Sequence, residues 1–297
     1  MEAVSDVVFR HIVARAGRPD VFFTEFTNAT GWFRAGDKAI GGRLIKTNEE
    51  SPLVAQLWGS DSEAMRAMSL HCRELGFDGI DINMGCPDQS AIKSGGGAGM
   101  IRTPALAYEI IEAAKASGLP VSVKTRLGYT AIDEWREWLG GLLSQDIAVL
   151  TIHLRTKKEM SKVPAHFELI GQIKALRDEI APATLLVING DIRDRAHGMA
   201  LVHEYGIDGV MIGRGIFTNP YAFTDRKEPP HRDELIALLI SQLDLFDRYQ
   251  PQMGRPFETL KRFFKIYIRD FDGASELRDR LMHTQTTDEV RDILSHL

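Results

Sequence analysis

Seven short apolar runs recur along the chain, at 21–24, 52–58, 79–83, 121–124, 148–153, 185–189 and 209–212. The stretches between most of them carry the spacing of amphipathic helices. Strands buried on both faces read as continuous apolar runs, and strands alternating with helices build a parallel sheet. No Gly-x-Gly-x-x-Gly follows an early strand, so a doubly wound dinucleotide fold fits less well than a (β/α)8 TIM barrel. The opening residues complicate the count. Ser5-Asp6 makes a good N-cap for a helix with Val7, Val8, Ile12 and Val13 on its apolar face, yet no complete strand precedes it. The first barrel strand is therefore expected to lie largely upstream of Met1.

Near residue 225 the pattern changes. Pro229-Pro230 marks a linker, and the remainder is helical, at 233–249, 257–269, 274–282 and 287–294. We expect a barrel domain over 1–225 and a small all-helical domain over 231–297. A chain of 297 residues with 44% hydrophobic and 26% charged side chains can bury such a core. No apolar run reaches the roughly 20 residues that span a bilayer, and Met1 is not followed by a signal peptide pattern, so a cytoplasmic monomer is expected. Two cysteines, Cys72 and Cys86, supply neither a disulfide framework nor a zinc cluster. The net charge of −5 leaves nucleic-acid binding dependent on a local basic patch.

The strand at 79–83 runs into Met84-Gly85-Cys86-Pro87, followed by Gly95-Gly96-Gly97 and Gly99. Pro87 has a fixed φ and biases Cys86 towards extended backbone, so the thiol is aimed by the turn at a strand's C-terminal end, where such folds bind ligands. The plainer alternative is a small buried hydrophobe, the ordinary state of a free cysteine and the reading we favour for Cys72. Nearly every strand ends in a polar group: Gln56, Asn83 with Cys86, Lys124 with Arg126, His153 with Arg155, Asn189 with Asp191, and Arg214. These would converge on one mouth. Asn189-Gly190-Asp191 and Gly213-Arg214-Gly215 fall in the last two loops, where barrels commonly hold a phosphate. Lys124 could pair with an electron-rich ring and Gln56 and Asn83 with ring amide edges, a set that describes flavin mononucleotide (FMN).

With Asn83-Met84-Gly85-Cys86-Pro87, Val123-Lys124-Thr125-Arg126, Thr151-Ile152-His153, Asn189-Gly190-Asp191 and Gly213-Arg214-Gly215 in this order, the chain resembles the tRNA-dihydrouridine synthases over essentially its whole length. Met1-Glu2-Ala3-Val4-Ser5-Asp6 with Phe9-Arg10 looks like that family's opening turn and first helix. The resemblance implies reduction of particular uridines in tRNA to 5,6-dihydrouridine, with FMN as cofactor and NADPH, or NADH, as electron source. By position, Met1, Gln56, Lys124, His153, Asn189, Gly190, Asp191, Gly213 and Arg214 would hold FMN. Hydride would reach C6 of the uracil, Cys86 would protonate C5, and Lys124 or Asn83 would stabilise the developing oxyanion. Arg126 and Arg155, beside Asn83, would meet the RNA. Two departures stand out: the segment that usually precedes Met1 and completes one wall of the cofactor site, and Leu154, where the family commonly has glycine.

A base inside folded tRNA must leave its stack to enter a barrel mouth. The helical segment is the natural platform, because Arg255, Lys261, Arg262, Lys265 and Arg269 oppose only Glu258. We expect phosphate contacts from these cations, with Lys261, Arg262 and Lys265 central, and a core role for the interleaved Phe263, Phe264 and Tyr267. Two other enzyme readings remain: a flavin barrel acting on a free pyrimidine, as dihydroorotate dehydrogenases do, and a lyase forming a Schiff base at Lys124. A third is a binding protein that has lost activity.

Overall fold

The computed structural model describes residues 1 and 3–297; Glu2, part of the opening motif, lies outside the described residues. Eight strands, β1 (Phe22–Phe23), β2 (Thr27–Asn28), β3 (Leu53–Trp58), β4 (Gly79–Asn83), β5 (Val121–Arg126), β6 (Val149–His153), β7 (Leu185–Asn189) and β8 (Gly209–Met211), form one sheet. Pairing follows chain order from β3 to β8 and every pair is parallel. β1 and β2 lie in line against the same edge of β3, interrupted at residues 24–26. The expected run at 21–24 is thus the first half of a broken strand whose second half, only two residues long, carries no sequence periodicity.

Helices α1 (Val7–Gly17), α2 (Ala29–Ala35), α3 (Ser62–Glu74), α4 (Gln89–Lys93), α5 (Pro104–Lys115), α6 (Trp135–Leu143), α7 (Ile170–Ile180), α8 (Arg195–Tyr205) and α9 (Gly215–Thr218) intervene. In α5, Pro104 fits the first turn, whose N–H needs no partner, and Ala107, Ile110, Ile111 and Ala114 form one buried stripe. Among the described residues no hydrogen-bond ladder joins β8 to β1. The sheet is nonetheless curled, because α1 touches both of its edges. Phe9 stacks on Phe217 beyond β8 at 6.2 Å, while Arg10 reaches back to the segment before β3, its guanidinium 2.5 Å from buried Glu50. The fold is a TIM-barrel wall of seven strand positions.

Beyond Pro229-Pro230 come α10 (Arg232–Met253), a 3₁₀ turn over Phe257–Phe263, α11 (Phe264–Tyr267), α12 (Ala274–Met282) and α13 (Thr287–Ser295). These pack on α1 and the end of β8. Phe9 lies 4.9 Å from the Phe263 ring, His11 faces Tyr249, and Phe263, Phe264 and Tyr267 are fully or almost fully buried.

Candidate active site at the C-terminal end of the strands

Register brings the polar residues to one rim. Gln56 is level with Asp81, Asn83 with Lys124, Arg126 with His153, His153 with Asn189, and Asn189 with Met211. Because side chains alternate along a strand, Asp81 and Asn83, then Ser122, Lys124 and Arg126, share one face. Asp81 is fully buried and accepts from Ser122 Oγ and Gln56 Nε2, each at 2.6 Å. Gln56 Oε1 accepts from Asn83 Nδ2 at 3.2 Å, and Asn83 Oδ1 accepts from the backbone N–H groups of Gly85 and Cys86 at 3.2 and 2.9 Å. Burial pushes the Asp81 carboxyl upward, and the Ser122 and Gln56 hydrogen bonds and the Lys124 charge oppose that shift.

Cys86 is half-buried and Cys72 sits in the core, where burial pushes its thiol up to about 12. Burial raises the Cys86 thiol as well, so at neutral pH it carries its proton. The turn is held from three sides. Asn83 caps it from below, Ala98 N donates to Cys86 O at 2.9 Å, and Arg126 Nε donates to Gly85 O at 2.8 Å. Gly97, at φ +54°, lies so close that a Cβ there would sit 2.7 Å from Cys86 O.

Lys124 is half-buried, and its ammonium makes no hydrogen bond or ion pair to the described residues. Burial and neighbouring Arg126 bring its ammonium down to about 8. Across the rim, burial and then Lys124, Arg126, Arg155 and Arg214 drive His153 down to about 2, leaving a neutral ring. Its Nε2 accepts from Arg155 Nη1 at 3.0 Å, which leaves the proton on Nδ1. Arg155 also pairs with Asp191 and donates to Val163 O. Burial alone would raise the Asp191 carboxyl, but the bonds from Arg155 and Ala165 N hold it below its usual range. Gly190 at φ +110° and Asp191 at φ +50° turn that loop sharply. Arg214, with a side chain 67% exposed, stands 3.8 Å from Asp191, and Asn189 Nδ2 donates to Met211 O. Met1 Sδ would lie 3.9 Å from a Cβ on Gly213, which places the chain start at this end of the rim.

Several sequence expectations change here. Arg126 and Arg155, expected to meet RNA, are 5% and 2% exposed, and the fold itself engages their guanidinium groups. The cause is local: the loops they enclose have backbone carbonyls that would otherwise be buried without donors. Arg255 pairs with Asp6 and buried Glu25, and Arg269 donates to Thr218 O, so these two cations tie the helical segment to the barrel. Lys261, Arg262 and Lys265 lie apart from the rim residues, in a cleft of about 420 Å³ with Phe264, Ser275, Arg278, Asp279 and Met282. Arg262 donates to Ala3 O and Lys265 lies over the Phe217 ring, so the cleft adjoins the β8 end of the barrel. Leu154 is fully buried and adds no bulk to the mouth. Asp81 and Ser122 had no assigned part; an aspartate midway along an otherwise apolar strand was the available signal.

Among the described residues no group of three or more His, Cys, Asp or Glu side chains is placed to hold a metal ion, and no helix is long and apolar enough to cross a membrane. Solved structures similar to this chain include an amine oxidase acting on 6-hydroxypseudooxynicotine from Pseudomonas geniculata N1. It has a TM-score of 0.53 and 14% identity, covering 72% of this chain and 43% of that one. A histamine dehydrogenase from Rhizobium sp. 4-9 has a TM-score of 0.51 and 12% identity, covering 82% and 46%. Both likenesses concern the fold alone. A protein named probable tRNA-dihydrouridine synthase 2 from Bacillus subtilis (strain 168) is 59% identical over 99% of this chain and 91% of its own length. A probable tRNA-dihydrouridine synthase from Staphylococcus epidermidis (strain RP62A) is 56% identical over 99% and 90%. The family model for dihydrouridine synthase (Dus) matches residues 1–296, and this chain belongs to the dihydrouridine synthase family.

Proposed function

We propose that the chain reduces uridine in tRNA to 5,6-dihydrouridine with FMN as cofactor and NADPH as electron donor. The observation that carries this reading is a protonated, half-buried thiol, Cys86, on the same rim as Lys124, a cation with no protein partner among the described residues. The donor set fits FMN: Lys124 is available to the ring, and Asn189, Gly190, Asp191, Gly213 and exposed Arg214 border the loops that suit its phosphate. Gln56, His153 and Met1 complete the cofactor side. Reduced flavin, when bound, supplies hydride equivalents for C6 of the uracil.

The chain's own residues do the rest. Cys86 Sγ gives its proton to C5 as a general acid, and the thiolate recovers a proton from solvent. Lys124 Nζ donates towards the uracil oxygen on which negative charge develops, in a mouth whose neutral His153 does not compete as a cation. The cleft with Lys261, Arg262, Lys265 and Arg278 supplies the positive surface for the RNA backbone near the β8 end of the barrel. Replacing Cys86 with alanine is expected to leave flavin content unchanged and to slow dihydrouridine formation in tRNA by at least about 100-fold. Nucleoside mass spectrometry reads the product, and turnover at the parent rate would remove the thiol from the mechanism. Free uracil and orotate, offered in parallel, are expected to remain unreduced.

A further inference from the structure

We infer that Asp81 is a positioning residue for Cys86, closing a hydrogen-bond relay whose direction is fixed at every link. The two ends set the polarity. Backbone N–H groups of Gly85 and Cys86 can only donate, so the Asn83 atom that meets them is its oxygen. Asn83 then has its amide N–H left for Gln56, which must accept through Oε1 and present Nε2 at its other end. A donor arriving there needs an acceptor, and a carboxyl oxygen of Asp81 is that acceptor, while Ser122 meets the other oxygen. Gln56, Asp81 and Asn83 are all buried, at 5%, 0% and 7% exposure, so water is poorly placed to substitute for any link. Removing the terminal acceptor leaves Gln56 Nε2 unsatisfied. The Gln56 side chain is then no longer held from the Asp81 end, so its Oε1 holds Asn83 less firmly and Asn83 in turn holds the turn less firmly.

The importance of this placement for uridine reduction rests on the reading of Cys86 as proton donor; the relay itself does not. Its test therefore reads thiol placement directly, as the rate of iodoacetamide alkylation at the peptide containing Cys86 in the purified protein. Asp81→Leu, close in volume but without an acceptor, is expected to react roughly fivefold to tenfold faster than the parent, the loss of about one hydrogen bond from a turn that must open. Asp81→Asn is expected to stay within about twofold, since its oxygen can take Gln56 Nε2 while its amide meets Ser122 Oγ, whose hydrogen can turn to Ile80 O. Asn83→Ala should match Asp81→Leu, and the double variant should react no faster than Asn83→Ala, because both changes cut one path. If Asp81→Leu fails to fold, Gln56→Met cuts the same path and carries the same expectation.

An alkylation rate for Asp81→Leu equal to the parent's, multiplying effects in the double variant, or an Asp81→Asn rate as fast as that of the leucine would each overturn the relay. An inert Cys86→Ala enzyme alongside any of these results would leave the catalytic reading standing and the relay refuted. The converse pattern would separate the two the other way.

Discussion

His153 shows how a single side chain takes its protonation state from its neighbours. Its ring accepts a hydrogen bond from Arg155 and lies in the field of Lys124, Arg126 and Arg214, so a proton on it is opposed from several directions. In the unfolded chain the same ring titrates near 6.5. Between that pH and about 2 the unfolded state binds one more proton than the folded state at this position, so stability falls as pH falls across that window. His153→Gln keeps an acceptor for Arg155 and removes the titration. Between pH 6.5 and 5 the parent is expected to lose more stability than the variant, by at most about 2 kcal/mol and less where solvent screens the ring. Urea unfolding at the two pH values checks this, and equal losses would show that the folded ring takes up its proton normally. Burial sets this state first, and of the four cations that add to it only Arg155 is near in sequence while Lys124, Arg126 and Arg214 are distant, so the residue was legible as a polar strand end but its charge was not.

At the scale of the element, the cysteine turn and the helices that follow behave as one unit. Gly97 closes it: the positive φ and a carbonyl 2.7 Å from any added Cβ make Gly97→Ala doubly unfavourable. We expect a stability loss of about 2–3 kcal/mol with faster opening of the turn, measured by denaturant unfolding and by Cys86 alkylation. The strands from β3 onward were readable because their signals, apolar runs, are local. So was Cys86 at the end of β4. The pairing of β2 with β3 was not, because two residues in a strand carry no period and the chain between β1 and β2 is kept beside β3 by contacts such as Gln56 N donating to Thr24 Oγ1. Arg126 and Arg155 misled for a related reason. A long cation at a strand end looks the same in sequence whether it faces solvent or wraps back onto carbonyls, and here Thr156, Met160 and Val163 supply those carbonyls.

For the whole molecule, the junction between barrel wall and helical segment depends on a small buried cluster. Arg255 pairs with Asp6, the N-cap of α1, and with Glu25, which lies in the break between β1 and β2. Burial raises the Asp6 carboxyl, and Arg255 is among the groups that counter it. Arg255→Met would leave two buried carboxyl groups without this counter-charge, and a loss of about 3–5 kcal/mol is expected in denaturant unfolding. Adding Glu25→Gln to that variant should recover part of the loss; no recovery would place the damage elsewhere.

Charge is also unevenly distributed. The chain is −5 overall, yet Lys261, Arg262, Lys265 and Arg278 gather around one cleft beside the β8 end. Such a cleft offers a long polyanion a local foothold on a molecule whose overall charge repels it, so the pull is felt only at short range and dissolved salt would weaken it.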